Sequence, residues 1–127
     1  MSDRIMIDTN DQRDISLSKN FKLSEFECTC NLKHVKVDSR LVALLQKLRD
    51  RVGRAVRITS AYRCPARNRA VGSNSASQHP RGTACDIQVT GYTPTQIAKI
   101  AEEVGFDGIG IYRNFTHVDV RGTRARW

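Results

Sequence analysis

His79, Asp86 and His117 have the residue types and spacing to hold a metal ion. The first two lie in Ser77-Gln78-His79-Pro80-Arg81-Gly82-Thr83-Ala84-Cys85-Asp86, and the third in Phe115-Thr116-His117-Val118-Asp119-Val120. Two imidazoles and one carboxylate bind zinc and leave a fourth position open for water. That open position separates a catalytic zinc site from a structural one. Zinc so held polarises a carbonyl and lowers its water's pKa toward neutrality. Taken singly, each residue also has a plainer reading. His79 is a loop histidine beside Pro80, Asp86 a charge at a strand edge, and His117 a half-exposed strand residue. Asp86 says more than the others, because a carboxylate in a strand beside Ile87 and Val89 is hard to bury without a cation.

Strands must position these groups. Thr83 to Val89 alternates, with Ala84, Asp86 and Gln88 on one face and Cys85, Ile87 and Val89 on the other. Ala55 to Tyr62 alternates too, and Arg63-Cys64-Pro65 ends it, since proline cannot donate to a ladder. Between them, residues 66–82 form a long loop rich in glycine, serine and asparagine, the kind that carries function. Gly108 to Tyr112 and Thr116 to Val120 read as a hairpin around Arg113-Asn114-Phe115.

Two helices cover the strands. Asp38 is an N-cap and Gly53 a stop, with Leu41, Val42, Leu44, Leu45 and Leu48 on one face between them. Thr93-Pro94-Thr95-Gln96 is a capping box with proline in the first turn, and Ile97, Ile100, Ala101 and Val104 form a stripe that ends at Gly105. A short helical turn begins near Ser24, with Leu23 as its staple residue, and Cys28 to Lys36 reads as a loop. The polar residues 1–16 are expected as a loose or extended arm before a single domain over 17–127. The class is α+β: a small, mostly antiparallel sheet flanked by helices.

Composition narrows the partners. A chain of 127 residues with net charge +8 and a sequence pI near 9.8 favours a polyanion: nucleic acid, an acidic membrane face or an anionic cell wall. The charge is densest in Arg49 to Arg69 and at Arg121, Arg124 and Arg126. Aromatics make up only 6 %, too few for a platform that stacks single strands, and no nucleic-acid reading motif is present. No apolar run is long enough to insert in a membrane. The charged N-terminal stretch lacks the apolar core of a secretory signal, so synthesis in a cytosol is expected, with another export route if the protein works elsewhere. Free thiols are then the default for Cys28, Cys30, Cys64 and Cys85. Cys28-Thr29-Cys30 with His34 suggests a second metal site, but the spacing matches no common zinc-finger pair.

Ser77, His79, Gly82, Ala84 and Asp86 together resemble the Ser-x-His-x-x-Gly-x-Ala-x-Asp signature of the zinc D-alanyl-D-alanine metallopeptidases. That group includes cell-wall carboxypeptidases, phage endolysins and the Hedgehog fold. The resemblance extends to Thr59-Ser60-Ala61-Tyr62-Arg63, to Phe115-Thr116-His117-Val118-Asp119, to Phe21-Lys22-Leu23-Ser24-Glu25-Phe26 and to Arg124-Ala125-Arg126-Trp127. It implies a Hedgehog/DD-peptidase-like fold, a Zn2+ held by His79, Asp86 and His117, and a monomer acting on the peptidoglycan stem peptide, as in a phage lysis enzyme. By the same resemblance Arg63 grips the substrate carboxylate or the oxyanion, and Ser77 and Gln78 help position substrate. The general base departs from the better-known branches, because Asn114 and Phe115 stand where those carry an acid or a histidine. Asp119 remains, either as that base or as a residue that orients a ligand histidine. Two other functions stay open beside the peptidase: a zinc-bearing wall-binding module without catalysis, and a basic nucleic-acid binder without metal.

Overall fold

A computed structural model of the chain describes residues 6–9, 16–26, 35–62 and 79–127. Helix α1 (Ser39–Val52) begins at Asp38, whose Oδ1 accepts the Arg40 amide at 2.8 Å, and ends at Gly53 in the left-handed region. All five residues of its expected stripe are buried. Full burial contributes about 1.5–3 kcal/mol for each such leucine. Helix α2 (Pro94–Val104) opens with the expected box: the Gln96 amide donates to Thr93 Oγ1, and the Thr93 amide donates to Gln96 Oε1. Ile97 and Ala101 are buried with Ala98, while Ile100 and Val104 are only partly covered.

Helix α2 packs on a five-stranded sheet, and α1 packs against α2 and shares the same apolar core. Its strands are β5 (Val56–Ser60), β6 (Ala84–Val89), β7 (Gly108–Ile111), β8 (Thr116–Asp119) and β9 (Ala125–Arg126), in the order β5-β6-β8-β7-β9. Every pairing is antiparallel except β7 with β9, so the expected α+β class holds. The alternation in β6 places Cys85, Ile87 and Val89 in the apolar core, as its period requires. Val118 of β8 and Ile109 of β7 join them there.

Two further sheets surround this unit. Within the expected arm, β1 (Met6–Thr9) pairs antiparallel with β4 (Val35–Asp38). Strand β4 takes Val35 and Lys36 out of the expected loop and buries Val35 and Val37. Strands β2 (Ser16–Ser18) and β3 (Phe21–Lys22) form a small hairpin that leads into a 3-10 turn, Leu23–Phe26, with Leu23 and Phe26 buried. Cys28, Cys30, His34 and Cys64 lie outside the described residues. Among the described helices none is long and apolar enough to cross a membrane.

Candidate metal centre

The face of the sheet turned away from the helices carries the chemistry. In register, Asp86 of β6 stands opposite His117 of β8, and Ala84 stands opposite Asp119. On the other side of β8, Gly110 and Gly108 of β7 stand opposite the same two residues. His79 comes from outside the sheet, at the start of a 3-10 turn, His79–Arg81. That turn is pinned by Gly82. Its amide donates to the His79 carbonyl at 3.1 Å, and its own carbonyl accepts the Asp38 amide at 2.8 Å. Gly82 has φ 73°, and a Cβ there would lie 2.5 Å from the Lys36 carbonyl oxygen. Only glycine fits, for both reasons. The glycine of the sequence signature therefore fixes the histidine three residues before it.

The three side chains converge. His117 Nδ1 lies 3.2 Å from Asp86 Oδ1, and His79 Nε2 lies 3.4 Å from the same oxygen. One ligand atom from each residue falls within 4.8 Å of the others, and all three residues are buried. The remaining ring nitrogens are engaged elsewhere. His79 donates from Nδ1 to the Ala61 carbonyl at 2.6 Å, and His117 donates from Nε2 to Asp119 Oδ2 at 2.8 Å. Each imidazole thus has one nitrogen tied and the other aimed at the common point. Metal-binding histidines have this arrangement, since the tied nitrogen fixes tautomer and ring direction. Two imidazole nitrogens and a carboxylate oxygen are a donor set that suits zinc.

Charge in the cluster is set by these contacts. Burial disfavours the Asp86 carboxylate, but His117 and His79 outweigh it and bring its pKa down to about 2. Burial likewise opposes a charged His117, yet Asp119 and Asp86 raise its pKa above the usual histidine value. Asp119 is fully buried and held well below the carboxylate range, because His117 and Arg121 together overcome the cost of burial. Arg121 grips it as a fork: Nη2 donates to Oδ2 at 2.6 Å, Nε to Oδ1 at 3.0 Å, and its amide to Oδ1 at 3.1 Å. Such two-pronged contacts are among the stronger charged hydrogen bonds.

A comparison with protein families matches residues 19–119 to Peptidase M15. The chain belongs to this family. Peptidase M15 proteins are zinc metallopeptidases, and the matched segment contains His79, Asp86, His117 and Asp119. A search of curated proteins finds no match for this chain.

The M15 assignment leaves the other predicted residues to be placed. Arg63, Ser77 and Gln78 lie outside the described residues. Phe115 stacks on Tyr112 with centroids 4.5 Å apart, and the Asn114 carbonyl accepts from Gln88 Nε2 at 2.6 Å. Cys85 is a free thiol in the core. Burial, with Asp86 and Asp119 nearby, pushes its pKa up and keeps it protonated. Sequence reasoning missed Arg121, which read as one surface charge of a basic cluster. It also missed Gly108 and Gly110, although alternating glycines in a strand signal a close approach on one face. A Cβ on Gly108 would lie 2.2 Å from Asp119 Oδ2. The basic cluster is itself largely paired: Arg124 bonds Glu102 at 2.6 Å, and Arg126 bonds the same carboxylate.

Proposed function

We propose that this chain is a zinc-dependent peptidase that hydrolyses a peptide bond in the peptidoglycan stem peptide. One observation carries the reading: each histidine has one nitrogen tied and its other nitrogen directed at Asp86 Oδ1. His79, Asp86 and His117 would hold the metal, which supplies Lewis-acid activation of the scissile carbonyl and of water. The residues around it set its geometry. Ala61 and Asp119 fix the two rings, and Arg121 keeps Asp119 charged and in place.

Asp119 is assigned here the orienting role. It contacts the ring nitrogen on the far side of His117 from Asp86, and Arg121 occupies both of its oxygens. Arg63, Ser77 and Gln78 are proposed to bind the stem peptide, with the Arg63 guanidinium on its carboxylate. The net charge of +8 favours the anionic wall.

The engagement of Asp119 also supports a second reading, a zinc-bearing wall-binding module that does not cleave. Digestion of purified sacculi separates the two. The peptidase releases stem-peptide fragments, a chelator blocks the release and zinc restores it. Mass spectrometry of the fragments then distinguishes loss of a terminal D-alanine from cleavage inside the stem or at a cross-link. Stoichiometric zinc without any released fragment would leave only the binding module.

A further inference from the structure

Trp127 has no part in the chemistry above, yet the fold makes room for it against a metal ligand. Gly110 stands in register with His117, and a Cβ on Gly110 would lie 2.4 Å from the Trp127 indole. The indole occupies the space where a side chain of β7 would otherwise stand. From that seat its ring lies 4.9 Å from the His117 imidazole, and the Arg121 guanidinium carbon lies 5.1 Å over it. The indole is also fixed by a hydrogen bond, since Nε1–H donates to the Tyr112 hydroxyl at 2.7 Å. Its backbone is fixed as well. The Trp127 amide donates to the Ile109 carbonyl, and the Trp127 carbonyl accepts the Ile111 amide. Trp127 remains 46 % exposed, so these contacts, rather than burial, hold it in place.

The contacts converge on one feature, the chain His117–Asp119–Arg121. A histidine's second torsion is broad, and a single hydrogen bond from Nε2 fixes the ring's direction better than its tilt. A flat neighbour restrains the tilt. Attraction between guanidinium and indole restrains Arg121 in the same way. We propose that Trp127 is a positioning residue of the metal centre, holding the His117 ring and the Arg121 fork so that His117 Nδ1 points at the metal. The proposal rests on the zinc-peptidase reading above, and it assigns Trp127 no contact with the reacting atoms.

Zinc affinity, read by competition with a chromophoric chelator, tests it, with cobalt(II) substituted to report ligand geometry. Trp127→Ala is expected to weaken zinc binding about 10-fold or more and to alter the cobalt spectrum. Trp127→Phe restores a flat ring without the Nε1–H donor and is expected to recover most of the affinity. Gly110→Ala adds the methyl that displaces the indole and is expected to reproduce the loss with Trp127 still present. Because Trp127 is the only tryptophan in the sequence, wild-type emission gives a readout that needs no variant. Stoichiometric cobalt(II) is expected to quench it. Unchanged zinc affinity and an unchanged cobalt spectrum in Trp127→Ala would overturn the positioning role, as would cobalt binding without quenching. A wild type that binds no zinc overturns the metal reading itself, and the positioning role with it.

Discussion

Strands β6 and β8 present two faces that are equally closed to water and built on opposite principles. Cys85, Ile87 and Val118 point to the helices with no exposed surface, and Asp119 points the other way with none either. Asp86 and His117, beside Asp119, are each only 6 % exposed. On the helix face, burial is favourable in itself, because apolar area leaves water. On the other face burial is costly, and each polar atom is compensated by a named partner: Asp86 by two imidazoles, His117 by two carboxylates, Asp119 by Arg121. The first face depends on volume and tolerates exchange of one apolar side chain for another. The second depends on direction, and removing one partner exposes the next.

That contrast is testable with neighbouring residues. Asp86→Ala should abolish zinc binding and wall cleavage together, measured by metal analysis and sacculus digestion. Ile87→Ala, one residue away, should cost about 2–5 kcal/mol in denaturant unfolding and leave zinc stoichiometry intact. Equal effects of both variants on zinc would erase the distinction between the faces. Asp119→Ala should weaken zinc affinity about 10- to 100-fold, as expected when the partner of a ligand histidine is lost. A residue acting only as a general base would leave that affinity unchanged while turnover fell. Gly108→Ala sharpens the comparison further. Replacing a strand glycine usually helps a sheet, but here the added methyl meets the Asp119 carboxylate, so both thermal stability and zinc affinity should fall.

A pH titration probes the polar face alone. In metal-free protein the His117 pKa is raised above about 6.5. Its charged form therefore contributes stability that is fully present below about 6.5 and is lost as pH rises through the raised value. Zinc requires the neutral ring, so zinc affinity should decline as pH is lowered through that same raised value. Isothermal titration at several pH values should show proton release on zinc binding, greatest on the acid side. The smallest effect is expected at an exposed ion pair: Glu102→Gln removes the charge that partners Arg124 and Arg126 and should leave zinc affinity and wall cleavage unchanged.

The two faces also differed in how far they could be read in the sequence. The helix face follows from period and punctuation. Asp38 and Gly53 bracket α1, Thr93 and Gln96 start α2, and the alternation over 84–89 divides β6 correctly. The polar face was legible only where residue type itself implies chemistry, at His79, Asp86, His117 and Asp119; Arg121 and the β7 glycines were not. Its supports are ordinary residues whose roles come from register. Gly110 is a plain strand glycine until β7 pairs with β8. Arg121 is a surface charge until Asp119 lies within its reach. Strand β9, which brings Trp127 to the site, is two residues long and has no alternation to detect. Short pairings of this kind are set by tertiary contacts rather than by local preference.

X-ray absorption at the zinc edge of the loaded protein tests most directly whether one zinc sits on His79, Asp86 and His117. The expected result is nitrogen and oxygen ligands alone, with two imidazoles at about 2.0–2.1 Å. Sulfur scattering at about 2.3 Å would put the metal on cysteine and contradict the assignment.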